Sequence, residues 1–391
     1  MDKNKRLTVW LPVIIAASIA LGIFIGNHYL SISQGKKRSY SSGNKINAIL
    51  DIIDEQYVDT VSMSKLVEST IPKIFSELDP HSVYIPAEDA SVVNEELEGS
   101  FSGIGVSFNM QTDTILVISV ISGGPAEKAG LLPFDRIISI NDSIFSGKKK
   151  NQGEIMKTLR GAKNSTVKLG VQRGNSPELL YFDVTRGDVP VNSVDVSYEA
   201  AKGIGYIKVS KFARNTYNEF ITAIAKLKQA GCTSFVIDLR GNTGGYMDAA
   251  INMINEFMPE GRLIVYTEGK SFPRSDVYAN GTGTCKDAPI VVLTDEISAS
   301  ASEIFSGAIQ DNDRGTIIGR RTYGKGLVQT QMSLSDGSEM RLTIARYYTP
   351  SGRCIQKKYE MGNTDAYDQD IYTDICTASS TRPIASRWMI P

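Results

Sequence analysis

From Lys45 to Leu78 the apolar residues recur at helical spacing, at Ile46, Leu50 and Ile53, then at Leu66, Ile71, Ile74 and Phe75, with a break over YVDTVSMS. That spacing predicts two or three helices. From about Leu97 the texture changes to short β-type runs, FSGIGVSF, TILVISVI, DRIISIND and TVKLGVQR, separated by Gly, Pro and Asp turns, with QGEIMKTLRG reading as a helix between the last two. A β-rich module of about ninety residues is expected here.

After Val189 strands and helices alternate. GIGYIKVS, SFVIDLR, RLIVYTE and PIVVL read as strands, and TYNEFITAIAKLKQAG, GNTGGYMDAAINMINEF and SEIFSGAIQ as helices or glycine loops running into helices. This alternation predicts an α/β layer structure with a largely parallel sheet. Ligand sites in such sheets form beyond the carboxyl ends of strands, where DLRGNTGG and TDEISASAS both lie.

The N-terminus changes the picture of where the chain works. MDKNKR precedes LTVWLPVIIAASIALGIFIG, an uncharged stretch from Leu7 to Gly26 that matches the hydrocarbon thickness of a bilayer, and Lys3, Lys5 and Arg6 set the N-terminus inside. An uncleaved anchor is the favoured reading; a cleaved signal peptide competes, but no small-x-small site follows Gly26. The body of the protein is then expected outside the cytoplasm, in a bacterial periplasm or cell envelope, anchored in the inner membrane. Forty-two Lys+Arg against 43 Asp+Glu give a net charge of -1, so nothing argues for nucleic acid. Cys232, Cys285, Cys354 and Cys376 lack CxxC spacing and the chain holds only 2 histidines, so neither a zinc site nor any other cofactor is expected.

TDEISASASEIFSGAIQ, Thr294 to Gln310, reads in two ways. Serines at a helix start cap the unpaired N–H groups of the first turn, yet one of them at a strand-to-helix turn is also a place for a nucleophile. A nucleophilic serine needs a base. His28 sits at the membrane end, which leaves His81 in LDPHS or a lysine whose pKa burial has lowered. Lys325, between Gly324 and Gly326 in RRTYGKGLVQT, is such a lysine, although Gly-Lys-Gly is also an ordinary surface turn. Backbone N–H groups at Ala301 and at Gly244 or Gly245 are candidate oxyanion donors.

Eight segments in chain order, YVD (57–59), LDPHS (78–82), FSGIGV (101–106), GGPAEKAG (123–130), DLRGNTGG (238–245), SASASEI (298–304), YGKGLVQ (323–329) and YYTPSGRCIQ (347–356), resemble the C-terminal processing peptidases, or tail-specific proteases. The resemblance implies a multidomain α/β fold: a crotonase-like or ClpP-like protease core with an inserted β-rich PDZ domain and N-terminal helices. It implies Ser300 as nucleophile, Lys325 as base, Gln329 to orient the amine, Gly245 and Ala301 as oxyanion donors, capping roles for Ser298 and Ser302, and a structural role for the segment of His81. Gly103, Ile104, Gly105 and Val106 correspond to the loop that holds a peptide's terminal carboxylate. Asp295 stands where the family commonly has asparagine and Phe134 where it commonly has glycine.

The expected organisation is an anchor or signal over 1–30, a linker over 31–44, a helical segment over 45–96, a PDZ domain over 97–188, a serine protease core over 189–360, and an irregular tail over 361–391, cut short against the family's pattern. The expected function is an extracytoplasmic serine endopeptidase that takes proteins or peptides by their free C-termini and cleaves them with a Ser/Lys dyad. A homo-oligomer or an activating partner is left open. The rivals are a catalytically inactive PDZ scaffold that binds protein C-termini and a crotonase-like acyl-transfer enzyme; a dead relative loses its serine or lysine first, and both are present.

Overall fold

The computed structural model describes residues 16–21, 23, 42–111, 114–147, 152–174, 176–363 and 367. The chain divides into two compact units, 1–69 and 70–391. Of Leu7–Gly26 only 16–21 and 23 are described, as helix; the rest of that stretch, the linker and most of the tail after 363 lie outside the described residues. Among the described residues no helix is long and apolar enough to cross a membrane.

The first unit holds helix α1 (Ser42–Gln56) and the start of α2 (Met63–Ser76). In the second, β1 (Val83–Ile85) and α3 (Ala87–Glu98) lead into a β-rich domain. Its strands are β2 (Ser100–Gly103), β3 (Val106–Gln111), β4 (Thr114–Val120), β5 (Arg136–Ile140), β6 (Ser143–Ile144), β7 (Thr166–Gln172), β8 (Leu180–Thr185) and β9 (Gly187–Pro190), with α4 (Pro125–Ala129) and α5 (Gln152–Leu159) between them. The main sheet runs β3-β4-β5-β7-β8, so β3 is an edge strand, and β2 pairs separately with β9. Alternation along β7 sends Val167, Leu169 and Val171 into a core shared with Ile115, Val117 and Ile137. Phe134 has φ 71°, the left-handed region in which a side chain is strained, which is the physical reason glycine suits that turn.

The core domain contains β10 (Val194–Ala201), β11 (Ile204–Val209), α6 (Thr216–Gln229), β12 (Ser234–Asp238), α7 (Met247–Asn255), β13 (Leu263–Glu268), β14 (Ser275–Tyr278), β15 (Ile290–Thr294), α8 (Ala301–Asp311), β16 (Thr316–Gly319), β17 (Leu327–Ser333) and β18 (Glu339–Tyr348). One sheet, β10-β11-β12-β15-β16, is parallel except at its β10 edge. The expectation of one largely parallel sheet needs correction. RLIVYTE, as β13, joins an antiparallel sheet β1-β18-β13-β14, with β17 paired to β18. The hairpin β17-β18 turns at Ser335–Ser338, where Gly337 has φ 88°. Phe220, Phe235, Phe257 and Phe305, all fully buried, meet edge to face between the parallel sheet and its helices. Cys232 and Cys285 are buried free thiols there.

Candidate active site

The carboxyl end of β12 leads into DLRGNTGG and that of β15 into TDEISASAS, and the two loops are stitched together. Ser298 Oγ donates to the Leu239 carbonyl at 2.8 Å and accepts the Asp295 N–H at 3.0 Å. Ser302 Oγ donates to the Asn242 carbonyl at 3.0 Å, which also takes the Ala299 N–H at 3.0 Å. This corrects the capping roles expected for Ser298 and Ser302: both hydroxyls serve the neighbouring loop, because the close approach of two buried loops leaves carbonyls that need donors.

Ser300 is itself the N-cap position of α8, with φ 56° and ψ −113°. A non-glycine residue there is strained, and such residues cluster at sharp strand-to-helix turns that expose a side chain. Its N–H donates to Glu303 at 2.8 Å, and the Glu303 N–H donates to the Ser300 carbonyl at 2.8 Å. Gly244 lies against it: a Cβ on Gly244 would fall 2.7 Å from Ser300 Cβ and 3.0 Å from the Ala301 nitrogen.

The donors follow from local geometry. The Gly244 N–H is taken by Asn242 Oδ1 at 2.8 Å. Gly245 bridges Phe212 in parallel, with Phe212 N–H on the Gly244 carbonyl at 2.9 Å and Tyr246 N–H on the Phe212 carbonyl at 2.7 Å. In that pattern the N–H of Gly245 itself points to the opposite side. Ala301 is the first residue of α8, where backbone N–H groups have no partner within the helix.

Lys325 enters from the loop before β17. A cavity of about 920 Å³ is lined by Ser300, Ala301, Lys325, Gln329, Gly244 and Gly245 among others. The geometry that sequence reading missed belongs to Glu303. It is fully buried, and its carboxylate accepts the N–H groups of Gly324 at 2.7 Å, Lys325 at 2.8 Å and Ser300 at 2.8 Å. Burial pushes its pKa up to about 7, against these backbone donors. The signal available was the SxxE spacing from Ser300, a capping-box pattern. Tyr347, also missed, is 3% exposed, lines the cavity and donates its hydroxyl to the Lys325 carbonyl.

The lysine side chain is partly buried. Burial lowers its pKa from 10.5, Arg341 acts the same way, and Asp79 and Glu303 oppose. Gln329 donates its amide nitrogen to the His81 carbonyl. His81 Nε2 lies 2.9 Å from the Tyr367 hydroxyl, and burial, then Lys325, pull its pKa down to about 4. Asp79 ties the LDPHS segment together, accepting His81 and Ser82 N–H groups at 3.0 Å and the Thr343 hydroxyl at 3.0 Å.

In the β-rich domain, Ile104, Gly105 and Val106 line a second cavity of about 220 Å³ with Phe101, Met156 and Arg160. Gly103 instead pairs with Gly187 between β2 and β9. Gly105 has φ 77°, and its carbonyl accepts Ile121 N–H at 2.9 Å. The cavity lies along β3, whose outer edge has no strand partner among the described residues.

The family model of peptidase family S41 matches residues 203–366, and that of the PDZ domain residues 102–195. The chain is 35% identical over 318 residues to the carboxy-terminal processing protease CtpB of Bacillus subtilis (strain 168), a match covering 81% of this chain and 66% of that protein. It is 33% identical over 365 residues to a probable CtpA-like serine protease of Staphylococcus aureus (strain N315), covering 91% of this chain and 72% of that one. The chain thus spans 66% and 72% of the length of these two relatives. Among solved structures, a photosystem II D1 C-terminal processing protease is similar at 28% identity and a TM-score of 0.46, over 81% of this chain and 91% of that chain. With both domain models matched in chain order and a relative at 33% identity covered over 72% of its length, this chain belongs to peptidase family S41, the carboxy-terminal processing serine proteases that carry a PDZ domain.

Proposed function

We propose that the chain is a serine endopeptidase that takes proteins by their C-terminal tails and cleaves them with a Ser300/Lys325 dyad. The observation that carries this reading is the cavity shared by Ser300, Lys325, Gln329, Gly245 and Ala301. The neutral amine of Lys325 takes the proton of Ser300 Oγ as that oxygen attacks the scissile carbonyl, and returns it to the leaving amine. The N–H groups of Gly245 and Ala301 receive the oxyanion. Gln329, tethered to the His81 carbonyl through its nitrogen, offers its amide oxygen to the lysine. Water then hydrolyses the acyl-enzyme.

The tail adds as a strand to β3, its terminal carboxylate on the N–H groups of Ile104, Gly105 and Val106 and its last side chain in the smaller cavity. The core is read as crotonase-like or ClpP-like. Leu7–Gly26 is read as a membrane anchor that leaves this body outside the cytoplasm, on the strength of its uncharged length and the preceding Lys3, Lys5 and Arg6.

The test is incubation of the full chain with an unstructured tail peptide as free acid and as amide, followed by mass spectrometry. Cleavage of the acid, slower cleavage of the amide, and none of either by Ser300→Ala are expected. Loss of the charge-assisted contact is worth about 1.5–3 kcal/mol. Tail binding without cleavage by the unaltered chain would make it a scaffold instead.

A further inference from the structure

Tyr347 touches the lysine loop twice. Its N–H donates to the Gly326 carbonyl at 3.0 Å, and its hydroxyl donates to the Lys325 carbonyl. On the other side of the same residue, the Lys325 N–H donates to Glu303 Oε2, the oxygen that also takes the Ser300 N–H. The main chain of Lys325 is therefore gripped at its N–H by α8 and at its carbonyl by β18. Tyr347 lines the cavity with Ser300 and is only 3% exposed.

We propose that Tyr347 is a positioning residue for the cleavage reaction: its phenol locks the Lys325 carbonyl and so fixes the main chain from which the amine reaches Ser300. The inference rests on the dyad reading above. Burial raises the phenol far above its ordinary pKa, Glu303 adds to that, and Ser300 pulls the other way, so Tyr347 stays a neutral hydrogen-bonding group and is no rival base. A fixed phenol between the two loops is useful because displacement of a reacting group by about 1 Å costs roughly 100-fold in rate.

Tyr347→Phe keeps the ring and removes only the hydroxyl. In the full chain it is expected to lower kcat roughly 10- to 100-fold with KM for the tail peptide unchanged. Unchanged kcat, or a change confined to KM, would overturn the proposal. A second measurement needs no catalysis: melting of Tyr347→Phe, Glu303→Gln and the double variant forms a cycle. The double variant is expected to melt higher than the summed single shifts would place it, because both groups hold the main chain of Lys325 and either change already loosens it. Additive shifts would overturn the inference even if Ser300 and Lys325 proved to be the dyad. Coupled shifts in a chain that cleaves nothing would uphold the grip on Lys325 and discard the dyad.

Discussion

Glu303 Oε2 accepts the Lys325 N–H at 2.8 Å, and through this one buried oxygen the start of α8 and the loop before β17 share an acceptor. The two loops come from different sheets, so a carboxylate with three backbone donors is what holds them in register.

Glu303→Gln replaces an acceptor-only group by one that presents an NH₂ to the same N–H donors. At least one buried donor loses its partner, at a cost of about 1–3 kcal/mol. Lower melting together with loss of most of the cleavage rate is expected. Thermal melts and peptide cleavage of the variant check it, and wild-type activity in a destabilised variant would separate Glu303 from the chemistry.

Gly244→Ala should abolish cleavage. Its Cβ would collide with Ser300 Cβ and the Ala299 carbonyl at 2.7 Å, at φ 98°. Gly241→Ala is the control: φ is 72°, but a Cβ meets nothing within 4 Å, so only backbone strain of about 1–2 kcal/mol is expected, with cleavage kept. Equal activity of the two variants would place the reacting hydroxyl elsewhere.

Lys325→Met should raise stability at neutral pH and remove cleavage. The folded pKa lies below 10.5, so the unfolded chain binds the proton more tightly and the group destabilises the fold until the pH passes 10.5. The advantage of the Met variant is therefore full below the folded pKa and vanishes above the ordinary value. Arg341→Met, which removes a cation that lowers this pKa, should move the acid limb of the cleavage profile to higher pH. An unmoved limb would mean that the limb reports another group.

His81 and Glu303 should contribute opposite slopes to stability in nearly the same window. His81 falls from 6.5 to about 4 on folding, so its contribution is present above pH 6.5 and is lost as pH drops toward 4. Lys325, Asp79 and Lys357 are the charges that face it. Glu303 rises from 4.5 to about 7, so its contribution is present below 4.5 and declines as pH rises through 7. Denaturation of His81→Leu across pH 4–8 should remove the first slope, and Glu303→Gln the second. Parallel curves for wild type and variants would show that neither group titrates as described.

By itself the sequence determined the layout of helices and strands after Leu97, because apolar periodicity and glycine turns are local properties. It also determined the family, through eight short segments in order. A serine at a helix start and a lysine between glycines are local candidates, and the resemblance narrows them to Ser300 and Lys325. Only the tertiary structure decided that RLIVYTE leaves the parallel sheet for an antiparallel one, since partner choice depends on contacts far along the chain. Only the tertiary structure decided what the outer serines bond to: Ser298 and Ser302 turn into the Leu239–Asn242 loop, while Ser300 lines the cavity. Glu303 left only the SxxE spacing from Ser300 as a local signal, and Tyr347 left none. A buried carboxylate and a buried phenol look like helix and strand residues until the fold brings Lys325, some twenty residues from each, to lie between them.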